Sequence, residues 1–465
     1  MSRSFVVLGG TGDLTGRLLL PSLARLHETG VLGDESGLLA VARDEWDRRA
    51  YREWARGRLA AHAGELPEAT RDRLVGRLDF AARDVTDPDD LRAALSRVDG
   101  EPVVYLALPH TLFRPTLTAL AEVGLPEGAR VVVEKPFGTD RADARVLNEL
   151  LHRLLPEEAV FRVDHFLAKQ TVLDVLGLRF ANRVFEPVWN AAHVERVDIV
   201  ADETLGLEGR AGYYDRAGAL RDMVQNHLLQ LLAVVAMEPP LTVDASSLPA
   251  RKADVLRAVR PPADVRAASV RGRYTAGTVA GRAVPAYTDE DGVDPARQTE
   301  TYAELTVTVD NWRWAGVPFR LRSGKALGAA RQEIVVRFRP VPHLPFLDAE
   351  PEPDVLRLSL SPDAIALEVD LNGTGDPFDL EREVLAARMA PHDLPAYALL
   401  LRELLDGDTT PSISDVEAEE SWRIVEPVLA AWAAGEVPLR EYPAGSGGPA
   451  GHPPPPAPAR PETSA

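Results

Sequence analysis

Three short segments hold side chains that could act on a bound substrate: Glu134-Lys135-Pro136-Phe137-Gly138, Arg162-Val163-Asp164-His165-Phe166-Leu167-Ala168-Lys169 and Arg221-Asp222-Met223-Val224-Gln225-Asn226-His227. The first ends an apolar run with a charged pair, and a buried strand seldom ends in lysine without a reason. The second sets Asp164, His165 and Lys169 together where a strand pattern gives way to a helical one. In the third, His227 stands on an otherwise apolar helix, where a histidine taken alone is more often a satisfied core residue than a reacting one. The chemistry these residue types offer is proton transfer near neutral pH, with a neutral imidazole as the base.

The cations sharpen this. Of 52 Lys plus Arg, only Lys135, Lys169, Lys252 and Lys325 are lysine. A chain that uses arginine almost everywhere keeps lysine where a compact ammonium with rotatable donors is needed. Three of the four fall in or beside the motifs described here.

A fourth segment concerns a cofactor. Ser4 to Leu8 reads as a strand and runs into Gly9-Gly10-Thr11-Gly12-Asp13-Leu14, followed by a helical pattern. Glycines let a backbone approach a pyrophosphate, and the amino end of a helix favours its charge. The spacing is not a clean GxGxxG, because Thr15 stands where the third glycine belongs. The second strand ends in Arg43, suited to the 2′-phosphate of NADP, while Asp44 beside it leaves NAD open.

The elements that must position these residues fall into two regions. To about residue 165, apolar runs alternate with helical patterns, as in βαβ units around a parallel sheet. The strands expected are Ser4 to Leu8, Leu38 to Ala42, Leu78 to Ala82, Val103 to Leu108, Arg130 to Glu134 and Val160 to Val163. After residue 180 the period becomes two, as in Ala303, Leu305, Val307 and Val309 against Glu304, Thr306 and Thr308, which predicts a mainly antiparallel sheet with one wet face. Helices over Leu220 to Met237, Ala396 to Leu405 and Val416 to Ala434 are expected to cover its other face. The expected division is 1–165 for an α/β dinucleotide domain, 166–441 for an α+β substrate and oligomerisation domain, and 442–465 for a Pro- and Gly-rich disordered tail.

Composition narrows the partners. A net charge of −19 argues against nucleic acid. No apolar run is long enough to span a membrane, and the absence of cysteine agrees with a reducing, cytoplasmic setting while removing thiolate ligands. No metal is expected. A large sheet with one uncovered face predicts a homodimer or homotetramer.

Taken in order, GGTGDL, EKPFG, RVDHFLAK, FEPVWN, GLEGRAGYYDRAGALRDMVQNHLLQLL, AMEPP, RSGKAL and YPAGS resemble the glucose-6-phosphate dehydrogenase family over nearly the whole chain. The resemblance implies a Rossmann-like domain followed by a larger α+β domain, and NADP-dependent oxidation of a sugar phosphate at C1. It implies His227 as the base for the O1 proton, Asp164 as its orienting carboxylate, and Lys135 in contact with both sugar and nicotinamide. Glu203, Asp222 and Lys325 match positions that bind sugar hydroxyls, and His165 and Lys169 match those that hold the 6-phosphate. Three family positions are altered: Leu18 stands for a lysine, Phe166 for a tyrosine, and Ala330 for a basic residue, with Arg331 next to it. A lost charged hydrogen bond costs roughly 1.5 to 3 kcal/mol. The leading reading is therefore a hexose-6-phosphate dehydrogenase leaning on His165, Lys169 and Arg331. Alternatives are a paralogue for another aldose or sugar phosphate, and a non-catalytic relative.

Overall fold

A computed structural model describes residues 3–33, 35–164, 166–167, 170–209, 211–242, 244, 246–344, 351–373, 379–389, 394–410 and 412–452. The chain forms two compact units, the first built from Met1–Ala168, Pro240–Ala250 and His392–Glu419, the second from Lys169–Pro239, Arg251–Pro391 and Glu420–Ala465.

The first unit is an α/β layer structure. Strands β1 (Arg3–Leu8), β2 (Leu38–Ala42), β3 (Leu78–Ala82), β4 (Glu101–Leu106), β5 (Arg130–Val133) and β6 (Val160–Val163) pair in parallel in the spatial order β6-β5-β4-β1-β2-β3. Their runs of valine, leucine and alanine suit strands buried on both faces. Chain order reverses between β1 and β4, which opens a crevice at the carboxyl ends of those two strands.

The sheet does not end where the periodicity does. Ser412 and Ile413 pair antiparallel to β6, at Val163 and Arg162. The helix Ala396–Asp406, expected over the antiparallel sheet, instead buries Leu400, Leu401 and Leu404 with Leu20 and Leu23 in the core of the first unit. Arg130 locks its end through Nη1 to the carbonyls of Leu404 and Leu405, at 2.5 and 2.9 Å. An apolar stripe shows that a helix is buried but not against which partner, hence the wrong assignment.

The second unit is α+β. Its ten-stranded sheet contains β7 (Val194–Asp202), β8 (Val259–Arg260), β9 (Ser269–Thr275), β12 (Tyr302–Val309), β13 (Pro318–Gly324), β14 (Arg331–Phe338), β15 (Val355–Leu360), β16 (Asp363–Asn372), β17 (Leu380–Arg388) and β19 (Leu439–Pro443). The short pair β10 (Gly277–Val279) and β11 (Arg282–Val284) stands apart, and β18 is the Ser412–Ile413 strand of the first unit. The spatial order is β17-β16-β15-β14-β7-β13-β12-β9-β19, with β8 also on β12, and most pairs are antiparallel. The exceptions are β7 with β13 and β9 with β19.

The segment Leu220–Leu228 lies across β7, β12 and β13, and every residue of the helix Leu229–Ala236 that continues it is buried. Trp189 and Trp314 close this core, each donating its indole N–H at 2.8 Å, to the carbonyls of Val235 and Ala236. The exposed strands lie at the two ends of the sheet, β19 at one and β16 with β17 at the other, where Leu371, Leu380 and Leu385 are exposed.

Residues 442–452 are not a loose tail. Tyr442 is buried and donates its hydroxyl to the carbonyl of Lys325 at 2.8 Å, and Gly445 N–H reaches the carbonyl of Ala326 at 2.8 Å. Backbone bonds and one aromatic anchor outweigh the glycine and proline content there. The rest of the expected tail, 453–465, lies outside the described residues.

Candidate active site

In the first unit the candidate residues line the carboxyl edge of the parallel sheet. The chain leaves β1 at Gly9, whose φ of 91° favours glycine, and both Gly9 and Gly10 donate to the carbonyl of Val41 at 2.9 and 3.0 Å. A Cβ on Gly9 would sit 2.2 Å from the carbonyl oxygen of Ala107, and one on Gly10 would sit 2.5 Å from Cβ of Ala40. Gly12 N–H closes the turn onto Gly9 at 3.0 Å. Thr15, which sequence reading treated as a departure, is buried and donates its hydroxyl to the Gly9 carbonyl at 2.9 Å, so it ties the turn to the first helical residues. Tyr51, also missed, reaches the Gly10 carbonyl at 3.2 Å.

The neighbouring strand β2 brings Arg43 and Asp44 to this turn. Thr11 donates to the Asp44 carboxylate at 2.7 Å, and Asp13 receives Arg17 at 3.4 Å. The side chain of Arg43 is exposed at the strand tip. Leu14 packs against the core below the turn.

Two strands away, β5 and β6 deliver Lys135 and Asp164 side by side. Glu134 is buried beneath them. Burial pushes its carboxyl above the usual range, and the phenols of Tyr105, at 2.6 Å, and Tyr397, at 3.2 Å, pull it back. Lys135 is half-buried beside it. Asp164 is buried, and its Oδ1 accepts the amide of Phe166 at 2.9 Å. Removing the nearer phenol leaves a buried carboxylate with a donor missing. Tyr105→Phe is expected to lower stability by about 2 kcal/mol, read as a shift in the urea midpoint. A shift below a quarter of that size would mean that Tyr397 alone satisfies Glu134.

In the second unit, three strands converge on one edge. Asp202 is in register with Gly324 on one side and Arg331 on the other, so Glu203, Lys325 and Arg331 leave the sheet at the same level. Glu203 N–H bonds the Gly324 carbonyl at 2.8 Å, and the Glu203 carboxylate receives Lys325 Nζ. Lys325 Nζ also lies 5.1 Å from the ring centroid of Tyr214. Burial pushes Asp202 up to about 6, against the pull of Arg322 and Arg331. Arg331 stands 3.6 Å from Glu333 at the start of β14.

Asp222 and His227 share the segment Leu220–Leu228, which is a π-helix. In an α-helix of about 3.6 residues per turn, residues five apart point about 140° away from each other. The i to i+5 hydrogen bonding of a π-helix brings them onto one face. Asn226 sits within this turn, its side chain donating to the Arg221 carbonyl at 3.2 Å and accepting the His227 amide at 2.5 Å. His227 is buried within this turn.

The structure thus brings Gly9, Gly10, Thr11, Gly12, Asp13, Leu14 and Arg43 together, Lys135 with Asp164, and Glu203 with Lys325. Asp164 and Lys135 belong to the first unit and His227 to the second. His165 and Lys169 lie outside the described residues. Of the altered positions, Leu18 and Ala330 are exposed and Phe166 is buried.

His152, Glu157 and Asp415 place one potential ligand atom each within 4.8 Å of the others. Arg162, buried, pairs with Glu157 at 2.7 Å, so the cluster already holds its own cation. Among the described residues no helix is long and apolar enough to cross a membrane.

A three-two-one-four-five-six parallel sheet with a glycine turn at its switch point, followed by a mainly antiparallel sheet unit, defines a dinucleotide-dependent oxidoreductase. Residues 6–174 match the description "Glucose-6-phosphate dehydrogenase, NAD binding domain" and residues 176–453 match "Glucose-6-phosphate dehydrogenase, C-terminal domain". The chain belongs to the glucose-6-phosphate dehydrogenase family. A glucose-6-phosphate 1-dehydrogenase of Mycolicibacterium smegmatis is 40% identical over 96% of this chain and 94% of its own length. One of Treponema pallidum is 38% identical over 96% and 91%. A solved glucose-6-phosphate dehydrogenase in complex with its substrate glucose-6-phosphate is 30% identical, with a TM-score of 0.88 over 97% of this chain and 96% of that one.

Proposed function

We propose that the chain oxidises D-glucose 6-phosphate at C1 with NADP, giving 6-phospho-D-glucono-1,5-lactone. The observation that carries this reading is the near full-length relationship to a structure bound to glucose 6-phosphate, in a chain that retains Lys135, Asp164, Glu203, Asp222, His227 and Lys325.

The residues at the first turn fit a dinucleotide. Gly9, Gly10 and Gly12 leave the backbone open where a Cβ would clash or crowd, and a helix begins there with its amino end toward the turn. The nicotinamide, when bound, supplies the hydride acceptor. On the protein side, His227 takes the O1 proton as C1 gives up its hydride, and Asp164 is the carboxylate that the family resemblance assigns to orient it. Lys135 positions the sugar against the acceptor ring. Glu203, Asp222 and Lys325 bind hydroxyls, since carboxylates accept strongly and the ammonium donates. His165, Lys169 and Arg331 hold the phosphate.

Arg43 supports NADP over NAD, because Asp44 is already engaged by Thr11. Arg43→Ala is expected to raise the KM for NADP about tenfold, the loss of one charged contact, and to leave that for NAD nearly unchanged. Equal effects on both cofactors would remove Arg43 from the 2′-phosphate. The reading as a whole is tested with purified protein, glucose 6-phosphate or unphosphorylated glucose, and each nicotinamide. No reduction with glucose 6-phosphate overturns it.

A second reading, a paralogue for another aldose or sugar phosphate, is favoured by Leu18, Phe166 and Ala330. A substrate panel with glucose 6-phosphate far ahead of all others removes it. Exposed leucines on β16 and β17 support a homodimer or homotetramer through that end of the sheet, and a monomer in light scattering would refute this. A cytoplasmic location follows from the proposed sugar phosphate substrate.

A further inference from the structure

The second unit holds a cavity of about 330 Å³ walled by Arg216, Arg221, Arg271 and Arg297 against Asp215 and Glu300. Glu203, Asp222, His227 and Lys325 are not among its walls. Its charge does not balance. Asp215 is fully engaged, receiving Arg297 at 2.9 Å, the Tyr287 hydroxyl at 2.7 Å and the Asp294 amide at 3.0 Å. Glu300 accepts the Leu220 amide at 3.0 Å and, among the described residues, is the single carboxylate acting on both Arg221 and Arg271, so two guanidinium groups share one counter-charge.

Three guanidinium groups remain. Among the described residues, no carboxylate oxygen comes within 4.0 Å of Arg216, Arg221 or Arg271. Arg221 has one bond, from Nη1 to the Ala217 carbonyl at 3.3 Å. Arg271 is 7% exposed and spends only Nε, on the Val437 carbonyl at 2.8 Å. Its Nη atoms make no hydrogen bond among the described residues, and the residue is one of the cavity's walls. In a chain of net charge −19, where most arginines are paired, a buried guanidinium with open donors is costly unless an anion meets it.

We propose that this cavity binds a phosphoryl dianion, either inorganic phosphate or a phosphate monoester. Three planar forks converge from β9, from the helix Ala211–Ala219 and from the start of the π-helix. Guanidinium forks pair with phosphate oxygens two at a time, and three of them suit a tetrahedral dianion better than a planar monoanion. Trp432 gives the cavity an apolar side that an ester group can touch. The size lies at the lower end for small-molecule sites, roughly 300 Å³ upward, which excludes a whole dinucleotide.

Calorimetric titration of the full chain with inorganic phosphate and, separately, with methyl phosphate tests this. Arg216→Ala, at an exposed position, is expected to weaken one binding equivalent about tenfold, and Arg271→Gln to abolish it. Lys325→Met, which alters the sugar site, leaves this equivalent intact. Tighter binding of methyl phosphate identifies an esterified metabolite as the occupant, and tighter binding of inorganic phosphate identifies the free ion. Unchanged stoichiometry and affinity in Arg216→Ala overturn the proposal even if Arg271→Gln fails to fold, as does the absence of binding by both anions at millimolar concentration.

Discussion

His227→Asn is expected to lower kcat about a thousandfold, within the 10²- to 10⁴-fold that a positioned general base contributes. Asparagine keeps a polar group at the site but cannot take the O1 proton. The Asn226 side chain, bonded to the Arg221 carbonyl and the residue 227 amide, braces the turn next to the ring. The smaller side chain leaves space at a buried position, so a modest fall in melting temperature is expected, with a KM for glucose 6-phosphate within a few fold of the parent. A kcat within tenfold of the parent would remove His227 as the base. A large fall in melting temperature with normal kcat would return it to the role of a core histidine.

Gly9→Ala is expected to destabilise the first unit by about 3 kcal/mol and to abolish dinucleotide binding. Two costs add at this position. The backbone lies at a φ of 91°, which a side chain resists, and the new Cβ would press to 2.2 Å from the Ala107 oxygen. Neither neighbour can yield, since Ala107 N–H is bonded to the Leu8 carbonyl at 2.8 Å and the Gly9 amide to Val41. Urea unfolding followed by tryptophan fluorescence, with Trp46 and Trp54 packed at this core, reports the change. A loss under about 1 kcal/mol would mean that the turn can move to accept a side chain, against the rigidity inferred here.

How much of this is legible in the sequence differs by element. The six parallel strands are recognisable because their residues are apolar on both faces, and β2, β3 and β6 begin and end where the pattern says. Strand β13 is not, although it leads directly to Lys325. Its sequence, PFRLRSG, alternates arginine with apolar residues, and such charges normally mark a solvated face. Here Arg320 pairs with Asp198 at 2.6 Å and Arg322 with Asp202 at 2.8 Å, both across strand β7, so the charges are neutralised inside the sheet. Pattern reading has no access to a partner more than a hundred residues away.

The site divides similarly. Glycine spacing marks out the first turn and motif order singles out His227 as candidates, but Tyr105 and Tyr397 under Glu134 carry no local signal. Nor does periodicity distinguish a π-helix from an α-helix over nine residues. Only the shared side of Asp222 and His227 would have required it, and that becomes apparent only once both are given roles.

The first unit takes its outermost strand and one core helix from residues 392–419, far beyond its own apparent end. During synthesis the amino-terminal portion must therefore wait, with Leu20 and Leu23 and the open side of Val160–Val163 uncovered, until residues 392–419 have left the ribosome. Maturation of the nucleotide cradle is in this way contingent on a segment made more than two hundred residues after Val163, and a product that stops short of it carries sticky, unfinished surface.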